Sequence, residues 1–191
     1  RFSSLAKDKY LEAAGYFERI GHKKNMLINY AGAIGILSSM QNYCEQEYYL
    51  DRCDSLAREL KDNRMLLHIA LLRARLLKNR DRNYTEGLRV LQDAINQYGN
   101  GKIPDSYRFV LCEICIELSQ LDSAKMYLLP LTESMSLATS RRKMEILFLQ
   151  SRIYELQRRY KDAYELNMLA LHISDSIYFA EKDRTIPELK A

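Results

Sequence analysis

Apolar side chains recur at three- and four-residue spacing along most of the chain, in stretches separated by short polar breaks. The pattern predicts nine helices, over 8–20, 23–40, 43–60, 63–79, 83–98, 103–119, 121–138, 141–157 and 160–184. Every link is short, and short links force neighbouring helices antiparallel, so each pair becomes a hairpin that packs on the next. Tyr107, Val110, Leu111, Ile114, Cys115 and Leu118 illustrate the pattern, because they fall on one helical face and read as core. Just before them, Gly99, Asn100 and Gly101 break a helix, and Pro104 sits where a first helical turn tolerates its missing N–H.

A motif recurs within this pattern, a ring or leucine followed three residues later by a second anchor that is usually small. The copies are Tyr10 with Ala13, Tyr43 with Gln46, Tyr84 with Gly87, Leu121 with Ala124, and Tyr160 with Ala163. They lie 33, 41, 37 and 39 residues apart, a period that signals a stacked array of hairpins. Only seven Gly and three Pro in 191 residues leave little room for the turns of a sheet protein, so the fold class is all-α. The length favours one elongated array.

These residues resemble the tetratricopeptide repeat family, whose pattern places large apolar residues on a first helix and alternating aromatic and small residues on a second. Leu147, Tyr154, Tyr160, Ala163 and Ala170 match it best, followed by Tyr10, Ala13, Phe17 and Ile20, and by Tyr84, Gly87, Leu91 and Ala94. The physical reason for a small residue there is close helix approach. Gln46 and Cys53 stand where small residues are usual, Asn167 where an aromatic is preferred, and Pro130 inside a second helix, where it should kink the chain near 126–129. The long period and the stretch from Cys53 to Leu60 resemble the long-repeat variety of the family. The resemblance implies a right-handed superhelical solenoid of about five repeats, the first incomplete, over residues 1–178. Residues 179–191 then finish the last helix and begin a truncated following segment.

The same resemblance implies binding of a protein or peptide on a concave wall of first helices. Residue by residue, that wall presents Ile28, Ala31, Gly35 and Ser38, then Phe109, Glu113 and Ile116, then Phe148, Arg152 and Glu155. The two phenylalanines could equally fill space between adjacent first helices. Gly35, Glu113 and Arg152 stand where the carboxylate-clamping members of the family carry Lys and Asn, which argues against a chaperone-tail ligand.

Charge and candidate chemistry narrow the picture further. Twenty-nine basic and twenty-five acidic residues give only +4, interleaved, too little for a nucleic-acid partner; Arg141, Arg142 and Lys143 read as solvated charges at a helix junction. No apolar stretch reaches the roughly 20 residues of a membrane helix, so the segment makes no membrane contact of its own. Cys112 and Cys115 form a CxxC, but at mid-helix packing positions rather than at a helix start where a thiol pKa falls, so they read as buried apolar groups; a disulfide stays open. His68 and His172 sit among leucines and isoleucines and read as packing residues. Glu113 and Glu117 have helical spacing without a nucleophile, a phosphate loop or metal ligands beside them. No catalytic residue, cofactor or metal is expected.

Both ends read as cut. The chain starts inside a helical pattern, and Thr185 with Glu188 reads as the cap of a further helix. The segment Ser174 to Ala191 resembles the stretch just after the array in bacterial membrane-tethered transcriptional regulators or histidine kinases. That likeness implies a sensing module of a larger signalling protein, held on the periplasmic side, with homodimerisation open. The alternative is a cytoplasmic adaptor that assembles other proteins without signal output. A helical-repeat RNA reader, which needs a basic inner wall, ranks third.

Overall fold

A computed structural model describes the backbone of residues 2–188 and the side chains of residues 3–179. Among the described residues there are nine α-helices and no strand. They are α1 (Phe2–Arg19), α2 (Lys23–Ser39), α3 (Tyr43–Glu59), α4 (Asn63–Leu76), α5 (Tyr84–Tyr98), α6 (Asp105–Glu117), α7 (Leu121–Glu133), α8 (Ser140–Leu156) and α9 (Tyr160–Glu188). Contacts divide the chain into two compact units, residues 1–103 and 104–191. In the first, α1 to α5 pack in chain order; in the second, α6 to α9 do so. The first core gathers Leu27, Ile34, Leu50, Cys53, Ala57 and Ile69, all essentially inaccessible. The second is built on Leu111, Ile114, Ala124, Leu131, Ile146 and Ala170. Full burial of one such aliphatic side chain stabilises by about 1.5–3 kcal/mol, which is why the apolar periodicity dictates the packing face.

One joint connects most neighbouring helices. Ile20 to His22, Met40 to Asn42, Leu60 to Asp62, Leu118 to Gln120, and Gln157 to Arg159 are three-residue links whose middle residue is left-handed, at φ 71°, 55°, 52°, 56° and 60°. The third residue of each donates its N–H to a carbonyl five positions back: His22 to Phe17, Asn42 to Leu37, Asp62 to Ala57, Gln120 to Cys115, and Arg159 to Tyr154, all at 2.8–3.0 Å. This satisfies helix-end carbonyls that burial would otherwise orphan. The same third residue then caps the next helix in three links, where His22 Nδ1, Asn42 Oδ1 and Asp62 Oδ1 accept from the N–H groups of Asn25, Glu45 and Met65. Only the first joint has glycine in the middle, so Gln41, Lys61, Ser119 and Arg158 bear a Cβ where it is disfavoured.

The motif's anchor positions are buried in α3, α5, α7 and α9 and displaced in α1. The fourth and eleventh residues of α3, α5, α7 and α9 are all buried: Gln46 and Cys53, Gly87 and Ala94, Ala124 and Leu131, Ala163 and Ala170. In α1 the expected copy at Tyr10, Ala13 and Ile20 fails, because Ala13 is only half-buried, Ile20 is exposed and the closed position is Ala14. Counting back 39 residues from α3 places Ala14 on Cys53 and the half-buried Lys7 on Gln46. The misreading came from the ring of Tyr10, which does close on small backbone, but on the next helix: a Cβ at Gly32 would lie 2.7 Å from its Cε1.

Other departures have local causes. The chain after α4 forms a π-helical turn, Leu77–Asp81, ended by left-handed Arg82. Arg80 pins that turn to α3 through both oxygens of Glu47, at 2.6 and 3.3 Å, and it also binds Asp81. Pro104 precedes α6 instead of opening it. Pro130 lies inside α7, which ends one turn later. The expected helix start at Thr185 is overturned, since α9 runs unbroken through it; no Gly or Pro occurs between 161 and 186 to stop the helix.

Candidate interaction surface

The wall expected from the sequence resolves into separate patches. In the first unit, Ile28, Ala31, Gly35 and Ser38 share one side of α2, with Ile28 and Gly35 exposed and Ala31 and Ser38 half-buried. Nothing lies within 4 Å of a Cβ built at Gly35, so this strip is open and nearly free of bulk. The strip can receive an extended or helical backbone closely.

In the second unit, α6 and α8 bring the remaining positions together, with one correction. Ile116 is 2% exposed and belongs to the core, because at the tight α6–α7 joint its side is closed. Phe109 is half-buried beneath the guanidinium of Arg142, which stands 4.4 Å from the ring centroid. Arg142 also donates to Asp105 O at 3.0 Å and to Glu145 at 3.1 Å, so the cation is fixed over the ring by three partners. The expected solvated charge cluster at 141–143 thus contains one structural arginine. Arg152 pairs with Glu117 at 2.8 Å, tying α8 to α6, and Glu155 accepts from Asn167 on α9 at 3.4 Å. Phe148 and Glu113 are half-buried on the same two helices. Part of this patch therefore spends its polar groups internally, which favours the space-filling reading for Phe109.

Two features were missed by sequence reasoning. Arg52 on α3 is held at 2.7 Å by Glu18 of α1, lies 5.0 Å from the ring centroid of Tyr30 on α2, and donates to Tyr48 Oη at 3.3 Å. Tyr30 stacks on Tyr49 at 5.3 Å, and burial pushes both phenols above their usual pKa. The period-39 register was the only available signal, since it alone aligns α1 beside α3. The second is a groove of about 230 Å³ between α3, α4 and α5, floored by Ile69, Ala70 and Ala94 and rimmed by Asp54, Arg58, Arg73, Arg89 and Asp93.

The titratable candidates settle into packing. Cys112 and Cys115 are fully buried free thiols, pushed up to about 12 and about 11 by desolvation, far from the thiolate chemistry of a redox pair. Cys53 is likewise pushed up to about 12, whereas Cys44 is exposed. His68 is half-buried, with its pKa lowered first by burial and then by Arg75 and Arg64. His172 departs from expectation, since it is exposed on α9. Among the described residues no group of three or more His, Cys, Asp or Glu could hold a metal, and no helix is long and apolar enough to cross a membrane.

Compared with known proteins, the chain matches no protein-family model, no curated protein and no solved structure.

Proposed function

We propose that this chain is a tetratricopeptide-like helical repeat module that binds a protein or peptide and serves a larger bacterial signalling or transcription-regulatory protein. One observation supports this reading above the others. The buried pair of positions recurs in α3, α5, α7 and α9, while the residues on the outward faces follow no such rule. A fold that repeats its wedges and varies its surfaces is suited to presenting a shaped face to a partner. On this reading the α2 strip of the first unit receives a partner's main chain at Ala31 and Gly35, and the second unit separately offers Phe148 as an apolar anchor.

Panning a displayed peptide library on the immobilised chain tests the proposal. Each enriched peptide should lose at least tenfold in affinity with one of the two variants, Gly35→Arg for peptides on the first unit and Phe148→Ala for peptides on the second, and should be indifferent to Leu137→Ser at a site 91% exposed elsewhere. Binders unaffected by both wall variants would overturn the wall assignment. A second reading, a cytoplasmic adaptor, is favoured by the four free cysteines, three of them buried thiols.

A further inference from the structure

Helix α9 carries an apolar stripe on the face that, in α3 and α7, receives the following helix. Counted from the first helical residue, the fifth, ninth and twelfth positions of α3 are Glu47, Asp51 and Asp54. Glu47 binds Arg80 in the turn after α4, Asp51 binds Arg73 of α4 at 2.8 Å, and Asp54 rims the groove toward α4. In α7 the same positions are Lys125, Leu129 and Thr132, which border a groove completed by Gln150, Ile153 and Tyr154 of α8. In α9 they are Tyr164, Met168 and Leu171, exposed by 65%, 48% and 49%, and the stripe continues to Tyr178 at 62%. Leu169 and Phe179 widen it, and both are more than half exposed. The face that meets a helix in α3 and α7 is in α9 largely apolar, with Asp175 on it, and open among the described residues.

We infer that this stripe is a self-association surface, on which a second copy of the chain lays its own α9 antiparallel to the first. Three observations select a second copy. Tyr164, Leu171 and Tyr178 are seven residues apart, so these three positions mirror one another about Leu171, with Asp175 of one copy opposite Asn167 of the other. A two-fold axis at Leu171 brings Tyr164 of one copy against Tyr178 of the other, the self-complementarity that an isologous interface requires. The charge logic also differs from that of α3, where the incoming helix brings arginines to carboxylates; the α9 stripe carries one carboxylate, the exposed Asp175, among Tyr164, Met168, Leu171 and Tyr178, so most of its match is another apolar helix face. Finally, six large side chains about half exposed leave roughly 600 Å² per copy, about 1,200 Å² for the pair, at the lower edge of stable interfaces. The expected dimer is therefore reversible, with its population set by concentration. It uses neither the α2 strip nor the Phe148 patch, so it stands or falls independently of the peptide-binding reading.

Sedimentation velocity from about 1 to 100 µM tests it. The expected result is a concentration-dependent dimer that Leu171→Arg abolishes and Leu137→Arg leaves intact, with helical circular dichroism unchanged in both. A chain that is monomeric throughout, or a dimer indifferent to Leu171→Arg, overturns the proposal. Cross-linking gives an independent readout should the arginine variant fold poorly. In a Cys44→Ser background, Tyr164→Cys and Tyr178→Cys chains should form a disulfide when mixed and oxidised, and neither should do so alone. Cross-linking of Tyr164→Cys with itself would mean a parallel pair and overturn the antiparallel assignment.

Discussion

Helices α3 and α9 begin alike, with tyrosine at the first position, and bury the same two register positions, yet they solve opposite surface problems. On α3 the wedge positions are Gln46 and Cys53, and the outward face is charged, with Glu47 and Asp51 each engaged by an arginine. On α9 the wedges are Ala163 and Ala170, and the outward face is Tyr164, Met168 and Leu171. Register fixes which residues are inside, while the neighbour a helix receives decides what its outside carries. Tight wedges with an apolar exterior suit a helix at an interface, and polar wedges with a charged exterior suit a helix already enclosed by its own chain.

The sharpest way to break the comparison is to overfill the α9 wedge. Ala163 is 2% exposed, and its carbonyl accepts from Ser151 Oγ of α8 at 3.0 Å, so the two helices are in close approach there. Ala163→Phe should destabilise by about 1–3 kcal/mol in urea unfolding. Lys161→Phe, on the exposed side of the same turn, should be near neutral. Equal effects at both sites would show that the register is not what holds α8 against α9.

The corresponding wedge in α3 should respond with the opposite sign. Gln46 is 1% exposed, and its Oε1 has no hydrogen-bond partner among protein atoms. Gln46→Leu removes that buried acceptor at similar volume and should stabilise by about 1 kcal/mol. Gln46→Glu should destabilise by more than Gln46→Leu gains, because it buries a carboxylate in the same place. A loss of stability in the leucine variant would mean that the amide is serving a structural bond and that α3 is not tolerating a polar wedge.

How much of the fold was legible in the sequence depends on the range of each interaction. Apolar spacing is local, so all nine helices were foreseen, with bounds displaced mainly at the ends of α1, α7 and α9. Burial of Cys112 and Cys115 came from the same spacing. The joints were invisible because their left-handed residue is glycine only at Gly21; Gln41, Lys61, Ser119 and Arg158 carry no turn signal. The α1 register was misread because Tyr10 reaches Gly32, a contact between helices that no single-helix pattern encodes. Within the candidate site, Ile116 was placed on the wall by analogy with a family register, whereas its burial is set by how α6 meets its neighbours. The stripe on α9 was written in plain sequence, but a run of apolar residues on a last helix reads as core until a neighbour is seen to be missing from it among the described residues.

The joints entering α9 and leaving α3 offer a smaller effect that should be shared by both helices. Lys61 and Arg158 sit at φ 52° and 60°, where a Cβ costs on the order of 1–2 kcal/mol and glycine removes that cost while adding freedom to the unfolded chain. Lys61→Gly and Arg158→Gly should therefore each raise stability by no more than about 1 kcal/mol, similarly in both units. Opposite signs would mean that one joint is held by its side chain instead of its backbone bond.

The smallest effect is a pH dependence confined to the enclosed half of the comparison. His68 lies on α4, the helix that α3 receives, and its pKa is lowered by burial and by Arg75 and Arg64. Above pH 6.5, the ordinary value, folded and unfolded chains both hold it neutral, and it has no effect on stability. As pH falls below 6.5 the unfolded chain takes up a proton that the folded chain resists, so stability declines until the lowered folded pKa is passed. Urea midpoints measured between pH 7.5 and pH 5 should fall more steeply in the wild type than in His68→Gln. Equal slopes in the two proteins would mean that His68 is open to water in solution, against the enclosure of α4 on which the comparison rests.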